Sequence, residues 1–297
     1  MTALGSLPLS RTAFDRDGNA RTQPGFLDGI RTDARTRAVL VRGRDVAVDG
    51  ENLDLRLCSQ RENTEQMVYL GTTVADENGV ATGTPVVAVR ADDADANWAP
   101  LRQIAATLSE RDAGLAASSV AVLGWHEASG FCSRCGAATI VDHAGWMRRC
   151  PSCETEHFPR TDPAVIVRVT DAEDRLLLGS NSAWEAGRYS LFAGFVEAGE
   201  SLEAAVIREV HEEAGVRVTQ PRYLGSQPWP FPRSLMLGYS AQLESDQDAR
   251  DTVPDGDEIL DVRRFTRAEL ADETSGVLLP GRSSIAHAII EQWLVRE

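Results

Sequence analysis

Short apolar runs alternate with longer amphipathic stretches along the 297-residue chain. In residues 1–125, strands are predicted at RAVLVRG, MVYLGTTV and TPVVAVRA, which are rich in β-branched residues and bounded by turns. Helical periodicity follows in ANWAPLRQIAATLSERDAGLAASSVAVLGWHEASG. The first 125 residues are therefore predicted to form an α+β domain, and no catalytic constellation is recognisable in them.

From residue 161 to residue 297 the pattern predicts a second domain of mixed strands and helices. Strands are predicted at AVIVRV, RLLLGS, LMLGYSAQL and EILDVRRF, and YSLFAGFVEAG is predicted to be a strand followed by a loop. A helix is predicted over 202–214, because Ser201 is a favourable N-cap and Gly215 suits a left-handed residue after the last turn. Another helix is predicted near the C-terminus. No G-x-G-x-x-G fingerprint is present, so a Rossmann unit has no support.

The composition indicates a soluble globular protein, with 42% hydrophobic and 25% charged residues. No apolar run is long enough to cross a membrane, and the N-terminus lacks the basic start and apolar core of a signal peptide. We therefore expect a cytoplasmic protein without a membrane partner. The net charge of −15 disfavours a broad nucleic-acid-binding surface. It leaves room for a small phosphorylated ligand held through a divalent cation.

Residues 126–160 contain four of the five cysteines, in a C-x2-C-x14-C-x2-C pattern. Two thiolates on each of two tight turns can fill a tetrahedral shell, which predicts one structural Zn²⁺ per chain. Its ligands would be Cys132, Cys135, Cys150 and Cys153. Gly136 suits the sharp turn after the first pair. Two disulfides are the structural alternative, which a cytosolic location disfavours.

A zinc ribbon that binds nucleic acid is the functional alternative for this segment. It has slight support from three arginines, namely Arg134, Arg148 and Arg149. The remaining cysteine, Cys58, is predicted to be a small buried side chain without reactivity.

The segment GFVEAGESLEAAVIREVHEEAGV, residues 194–216, contains six glutamates, one arginine and one histidine. At 100° per residue, Glu209 and Glu213 lie about 20° to either side of Leu202, beside the apolar face of the helix. Glu212 lies one step further round. Carboxylates at this position repel one another unless a cation lies between them, which predicts an Mg²⁺ or Mn²⁺ site. An exposed, charge-rich helix is the alternative.

The same 23 residues match the Nudix box, G-x5-E-x7-R-E-U-x-E-E-x-G-U, at every defined position. The chain therefore resembles the Nudix hydrolases, which cleave a nucleoside diphosphate linked to another group. The resemblance implies an α/β/α sandwich with a mixed sheet, preceded by a zinc ribbon and the N-terminal α+β domain. It also implies that Glu209 and Glu213 are metal ligands, that Glu212 lies in or beside the same shell, and that Arg208 orients the carboxylates.

Two further expectations concern the start of the box. Gly194 is expected to let the loop turn tightly, and the carbonyl of Ala193 to complete the metal shell.

His211 falls on the opposite side of the helix from the metal ligands and is expected to be exposed.

A second motif, SQPWPFPRS at residues 226–234, follows the box by ten residues. Its three prolines stiffen the segment and present Trp229 and Phe231 with little conformational freedom left to lose, which suits a loop that holds a flat base. A proline-rich connection packed on the core is the alternative. The segment resembles the SQPWPFPxS signature of the NADH pyrophosphatases, which also have a four-cysteine zinc module before their Nudix domain.

This resemblance implies a set of substrate contacts and one more metal ligand. Phe158 and Phe195 are expected to stack a base, and Glu258 is expected to bind metal, with Asp257 as the alternative. A family contact that is usually acidic is replaced by Gly145 or Trp146. The implied substrate-binding residues are Phe158, Phe195, Gln227, Pro228, Trp229, Pro230, Phe231, Pro232, Arg233, Ser234 and Ala286.

The implied reaction is metal-assisted hydrolysis of NADH or NAD⁺ to AMP and the nicotinamide mononucleotide. Glu213 is the first choice for the general base and Glu212 the second. Removal of an NAD cap from RNA 5′ ends is the nearest alternative, and a broad ADP-ribose or dinucleotide pyrophosphatase is another. A nucleotide-sensing regulator with a nucleic-acid-binding zinc ribbon comes from a different class. The resemblance also implies a homodimer, with the first 125 residues expected to form its interface.

Overall fold

The chain divides into two compact units in a computed structural model that describes residues 4–58, 66–91, 95–247 and 252–295. The N-terminal unit contains Pro8–Thr161 and Pro228–Arg233. The C-terminal unit contains Met1–Leu7, Asp162–Gln227 and Ser234–Glu297. The cysteine segment therefore groups with the first half of the chain, and so do six residues of the second motif.

A mixed sheet forms the centre of the N-terminal unit. Its strands follow the order β1-β6-β7-β2-β3-β4, with β5 paired to β2 and β8 to β3. Strands β2 and β7 are parallel, whereas β6 and β7 are antiparallel. The strands are β1 (Phe14–Asp15), β2 (Arg37–Arg42), β3 (Asp45–Asp49), β4 (Asn52–Leu53), β5 (Arg56–Leu57), β6 (Met67–Thr73), β7 (Pro85–Arg90) and β8 (Asn97–Pro100).

Three α-helices accompany this sheet among the described residues, namely α1 (Phe26–Thr32), α2 (Leu101–Ile104) and α3 (Glu110–Ala128). Short 3-10 helices occur at Pro8–Ser10, Gly18–Thr22 and His143–Gly145. Helix α3 begins after Ser109, whose hydroxyl accepts a hydrogen bond from the Asp112 amide. The predicted helical segment was wrong at its start, because Asn97–Pro100 pairs with β3 as strand β8. Pairing with a neighbouring strand outweighed the local helical pattern there.

The cysteine segment forms a three-stranded sheet of β9 (Ile140–Asp142), β10 (Met147–Arg149) and β11 (Glu156–His157), with β10 in the middle. Trp146 fixes it to the rest of the N-terminal unit by donating its indole N–H to the Tyr69 carbonyl at 2.6 Å. Gly145, at φ +96°, lies so close to Val68 that a Cβ would come within 2.7 Å of that side chain. Gly145 and Trp146 therefore serve the packing of the unit.

The four cysteines of this segment converge with geometry that suits zinc. The Cys132 and Cys153 sulfurs are 3.6 Å apart, the Cys135 and Cys150 sulfurs are 3.4 Å apart, and all four lie within 4.8 Å of one another. Zn–S bonds of about 2.3 Å in a tetrahedron require S···S separations of about 3.8 Å. All four cysteines are free, so the alternative of two disulfides is wrong. The structural zinc site is confirmed, and Gly136 makes its turn at φ +77°.

A second mixed sheet forms the centre of the C-terminal unit, with the order β15-β16-β12-β13-β17 and with β14 on β12. Strands β12 and β16 are parallel, and β12 is antiparallel to β13 and β14. The strands are β12 (Asp162–Thr170), β13 (Leu176–Asn181), β14 (Phe192–Phe195), β15 (Val218–Trp229), β16 (Ser234–Leu243) and β17 (Ile259–Phe265). The helices are α4 (Leu202–Ala214), α5 (Arg267–Ala271) and α6 (Ile285–Leu294).

Strand β12 shows why this unit is a three-layer sandwich. Val165 and Val167 belong to the apolar cluster formed with α4, whereas Ile166 belongs to the cluster formed with α6. Successive side chains of a strand point to opposite faces, so one strand supplies apolar residues to both helical layers. The expected α/β/α sandwich is confirmed. Among the described helices, none combines the length and the apolar character that crossing a membrane requires.

The predicted acidic helix is confirmed at Leu202–Ala214. The Ser201 hydroxyl accepts a hydrogen bond from the Ala204 amide, and Gly215 adopts φ +71° after the last turn. The second motif is less of a loop than its prolines predicted. Strand β15 continues to Trp229 and strand β16 starts at Ser234, which leaves a connection of only four residues.

Removal of one buried ligand should empty the zinc site. In Cys150→Ser we expect the zinc content to fall from about one ion per chain to near zero, because three thiolates cannot close the tetrahedral shell. Elemental analysis of the purified protein measures this directly. Cys58→Ser is the matched control, since Cys58 is also buried but lies outside the ribbon. Retention of one zinc ion by Cys150→Ser would contradict the four-sulfur site.

Candidate active site

A cavity of about 500 Å³ opens in the C-terminal unit beside the N-terminal half of β12 and the inner face of α4. This volume lies within the range of small-molecule sites. Four of its lining residues are glutamates, and one is an arginine. The wall consists of Ala164, Ala193, Gly194, Phe195, Glu197, Arg208, Glu209, Glu213, Ser234, Met236 and Glu258.

Arg208 saturates its guanidinium with hydrogen bonds to the surrounding acceptors. Its Nε and Nη2 donate to the two oxygens of Glu200, each at 2.8 Å. Its Nη1 donates to Glu209 at 2.8 Å and to Glu212 at 3.0 Å, and Nη2 also donates to the Phe195 carbonyl at 2.9 Å. Five donors thus meet five acceptors in a fork that only arginine supplies. This geometry supports the predicted orienting role of Arg208.

Glu200 is the main partner of Arg208, a role that the sequence analysis did not assign. The bidentate bond to Arg208 lowers the pKa of Glu200 to about 2 and raises that of Arg208. Glu200 also accepts a hydrogen bond from the Glu197 amide at 3.0 Å, which ties the loop before α4 to the helix. Glu200 is a defined position of the Nudix box, which was the available signal. Its bond to Arg208, eight residues away, could be identified only from the structure.

Gly194 makes room for a carboxylate, which corrects its predicted role in a tight turn. The residue lies in the regular strand β14, paired with Val165. A Cβ at this position would lie 2.0 Å from the Glu209 carboxyl carbon and 2.1 Å from one of its oxygens. A side chain at this position would displace the Glu209 carboxylate, which lies where the Cβ would be placed. Burial, the largest influence on this group, raises the pKa of Glu209.

Glu213 is the most enclosed of the acidic side chains in this cavity, with 6% of its surface exposed. Its Oε2 accepts a hydrogen bond from the Ala193 amide at 3.2 Å. Burial and, after it, the charge of Glu258 raise the pKa of Glu213 to about 8. Glu212 instead leaves 57% of its side chain exposed and points toward Arg208. The two adjacent glutamates therefore differ in environment, and only Glu213 lines the cavity.

Glu258 reaches the cavity from the loop before β17, whereas Asp257 is exposed outside it. This placement favours Glu258 over its neighbour as the third carboxylate of the wall. The loop is attached to α4 through the Val253 amide, which donates to the Ala214 carbonyl at 2.9 Å. Gly215 allows this approach, since a Cβ there would meet the Val253 backbone at 3.0 Å.

The donor set of the cavity fits a hard divalent cation. Glu209, Glu213 and Glu258 supply oxygen ligands from two chain segments, and their repulsion falls when a cation lies between them. Among the described residues, the zinc cysteines are the one group whose ligand atoms converge to direct metal-binding distance. His211 is exposed, as expected.

The predicted substrate contacts fall into different environments. Phe195 lines the cavity and is 58% exposed, and Ser234 lines it as a buried residue. Phe158 is 57% exposed in the N-terminal unit. Gln227 is fully buried, and its amide donates to the Ser283 carbonyl at 3.0 Å. Ala286, in α6, is 4% exposed and lies in the core.

The rest of the second motif packs within the N-terminal unit. Trp229 and Phe231 meet edge to face with ring centroids 4.9 Å apart, and both pack against its apolar core. Arg102 lies over the Trp229 ring at 5.7 Å. Pro230 is buried, Arg233 is half-buried, and Pro228 and Pro232 are exposed. The side chains of Trp229 and Phe231 therefore agree with the alternative interpretation of this motif, a proline-rich connection packed on the core.

Three lining residues carried no signal in the sequence. Ala164 and Met236 lie opposite each other in the parallel pair of β12 and β16, and Glu197 lies in the loop before α4. The register that pairs residues 72 positions apart cannot be read from local patterns.

The chain matches known proteins over its whole length. Residues 160–285 match the NUDIX domain, residues 127–158 the NADH pyrophosphatase zinc ribbon domain, and residues 27–125 the NADH pyrophosphatase-like rudimentary NUDIX domain. The NAD-capped RNA hydrolase NudC of Mycobacterium bovis is 38% identical over 313 aligned positions, which cover 99% of this chain and 97% of the relative.

Two further proteins are similar to part of the chain. The human NAD-capped RNA hydrolase NUDT12 is 38% identical over 201 positions, covering 63% of this chain and 43% of that protein. A NUDIX hydrolase structure from Nitrosomonas europaea is 29% identical with a TM-score of 0.43, covering 55% of this chain and 89% of that one.

A methyl group at residue 194 should displace Glu209. In Gly194→Ala we expect Mn²⁺ to bind about tenfold more weakly or worse, because the new Cβ occupies the position of the carboxylate. Titration with Mn²⁺ followed by electron paramagnetic resonance measures the free ion. Gly281→Ala, where the added Cβ meets nothing within 4 Å, is the control. Equal Mn²⁺ affinity in both variants would refute the steric argument.

Arg208→Lys should lower stability more than the charge-conserving change suggests. Lysine offers three donors in place of five, so at least two acceptors lose their partner, at a cost of about 1–3 kcal/mol. Thermal unfolding without divalent cation should show a lower Tm. Arg188→Lys is the matched control, since within the described part of the chain the Arg188 guanidinium pairs with one carboxylate, that of Glu185, at the surface. A Tm equal to that of the control would show that the five bonds add little.

Proposed function

The chain belongs to the Nudix hydrolases, in the group whose members include the NAD-capped RNA hydrolase NudC, and on this premise we propose that it hydrolyses the diphosphate bond of NADH and NAD. The products would be AMP and the oxidised or reduced nicotinamide mononucleotide. The same bond joins an NAD cap to RNA, so the 5′ ends of NAD-capped RNA are proposed substrates as well. The observation that carries this proposal is the cavity that contains Glu209, Glu213 and Glu258 beside the Arg208 network.

The proposed cofactor of the reaction is Mg²⁺ or Mn²⁺, held by Glu209, Glu213 and Glu258, with the Ala193 carbonyl and Glu212 as further candidates. When bound, such a cation neutralises the diphosphate and makes water a better nucleophile. Arg208 holds the carboxylates of Glu209 and Glu212 in place through Nη1. Gly194 lets Glu209 rest against the strand, so the position of this carboxylate is fixed before substrate arrives.

Glu213 is the proposed general base. It is buried in the cavity, and of the two adjacent glutamates it is the one that lines the wall. Glu212 is the weaker candidate because its side chain is mostly exposed and bonded to Arg208. The Ala193 amide orients the Glu213 carboxylate from the side of β14.

Phe195 and Ser234 are the proposed substrate contacts with the most direct support, because both line the cavity. An exposed phenylalanine at the mouth of a diphosphate site suits stacking on a nucleobase. Phe158, also exposed, stays the proposed second stacking residue. Gln227, Ala286 and the aromatic residues of the second motif stay proposals with a supporting role, since their side chains are packed.

A nucleotide-sensing regulator is less well supported than an enzyme. The structure keeps the acidic wall of the cavity, which a sensor does not need. The ribbon also offers few free cations for nucleic acid. Arg148 is buried and bonded to Thr139, and Arg149 pairs with Asp142 and Glu156. We further propose a homodimer, which rests on the family resemblance, and a cytoplasmic location.

The first test is product analysis with wild type and Glu213→Gln. With NADH and Mg²⁺ or Mn²⁺, wild type should release AMP and reduced nicotinamide mononucleotide in equal amounts. We expect kcat of Glu213→Gln to fall by about 10²- to 10⁴-fold, because glutamine can neither accept the proton nor bind the cation as an anion. Chromatographic separation of the two mononucleotides gives the rates.

Glu203→Gln is the control for this measurement, since Glu203 is exposed on the first turn of the same helix. It should keep wild-type turnover. Competition between NADH and NAD-capped RNA then ranks the two substrates. Absence of turnover with either substrate and either metal would refute the proposal and favour the sensor.

A further inference from the structure

Glu258 lies in an exposed loop, yet its backbone is held from several sides. One oxygen of Asp255, Oδ1, accepts hydrogen bonds from three successive amides, those of residues 257, 258 and 259, each at 2.9 Å. The Glu258 carbonyl accepts a further bond from the Ser182 amide at 2.8 Å. A short loop with this many directed bonds has a defined conformation, because each amide fixes one peptide plane.

The sheet register also changes at this point. Ser180 lies opposite Asp261, but Asn181 lies opposite Ile259, so Leu260 has no partner across the pair of β13 and β17. Such a bulge adds one residue to a strand and redirects the side chains on either side of it. Asn181, at the end of β13, is thereby brought next to the loop that carries Glu258.

Asn181 contacts the carboxylate itself. Its Nδ2 donates to Glu258 Oε1 at 3.3 Å. Its Oδ1 accepts from the Ala183 amide at 2.9 Å, which is a donor that only an oxygen can satisfy. The hydrogen bond from the Ala183 amide therefore fixes the orientation of the Asn181 side-chain amide, so that its Nδ2 donor faces Glu258. One carboxylate oxygen is occupied, and Oε2 is left for a cation.

We propose that Asn181 and Asp255 are positioning residues that hold Glu258 as a one-oxygen ligand of the divalent cation. This inference rests on the proposed metal-dependent function. It adds the residues that fix the position of the Glu258 carboxylate. Asp255 shapes the backbone of the loop, and Asn181 orients the side chain. Neither residue touches substrate in this assignment; both act through Glu258.

The test is a double-mutant cycle on Mn²⁺ binding, measured by electron paramagnetic resonance on the full chain with zinc in the ribbon. Asn181→Ala should weaken Mn²⁺ binding about tenfold, the lower end of the range for loss of a residue that orients a ligand. Glu258→Ala should weaken it at least as much. The double variant should be no worse than Glu258→Ala alone, because Asn181 acts only through that carboxylate.

Ser182→Ala is the matched control, since Ser182 directly follows Asn181 and the variant keeps the backbone amide that donates to the Glu258 carbonyl. It should bind Mn²⁺ like wild type. In turnover assays, higher Mn²⁺ concentrations should restore the kcat of Asn181→Ala, which a general loss of folding would not allow. An unchanged Mn²⁺ affinity in Asn181→Ala, or losses that multiply in the double variant, would overturn the proposal.

Asp255 provides an independent check. Asp255→Asn keeps an oxygen acceptor for the three amides and should retain most of the Mn²⁺ affinity, whereas Asp255→Ala should lose about as much as Asn181→Ala. Equal affinity in these two variants would remove Asp255 from the assignment. Mn²⁺ binding is measured without substrate, so the two proposals can fail separately. If the double-mutant cycle gives the expected Mn²⁺ affinities but NADH is not hydrolysed, the proposed substrate is wrong and the positioning roles still hold.

Discussion

The structure of the catalytic cavity depends on the repulsion among its carboxylates. Six glutamates line the cavity or bond to its one arginine, Arg208, which leaves five negative charges unbalanced when all are ionised. Like charges repel each other more strongly where burial removes them from water. The fold withstands this repulsion by tying Glu200, Glu209 and Glu212 to Arg208. Three further glutamates of the cavity, Glu197, Glu213 and Glu258, contribute charge that a bound divalent cation would neutralise.

The local features of this cavity could be predicted from the sequence, and the long-range ones could not. Helix α4 has its predicted bounds because the N-cap, the acidic first turn and the C-terminal glycine are all local signals. The role of Gly194 was misread because the atom that needs the space belongs to Glu209, on another element. Likewise, Glu258 was predicted from the resemblance to a family motif. Its supports at Asn181 and Asp255 depend on a bulge that no local pattern shows.

The N-terminal half illustrates the same limit on a larger scale. Its strands could be predicted from apolar runs, but strand β8 was assigned to a helix because its pairing with β3 is not a local property. The cysteine pattern predicted zinc from spacing alone, since tetrahedral coordination depends on ligand number and type. It did not predict that Trp146 would enter the neighbouring sheet or that Trp229 and Phe231 would pack in the core of this unit. Aromatic residues in a conspicuous motif suggested ligand binding, whereas their burial shows a packing contribution.

The separate origins of the three cavity carboxylates explain how the site can be arranged before a cation arrives. Glu209 is held by Arg208 and the strand at Gly194, Glu213 by the Ala193 amide, and Glu258 by Asn181. Each group has its own restraint, so a change at one need not release the others. Ligands fixed in advance lose little conformational entropy on binding, and charges already oriented need no reorganisation during the reaction. The hydrogen bonds around the carboxylates therefore maintain an arrangement that like charges alone would oppose.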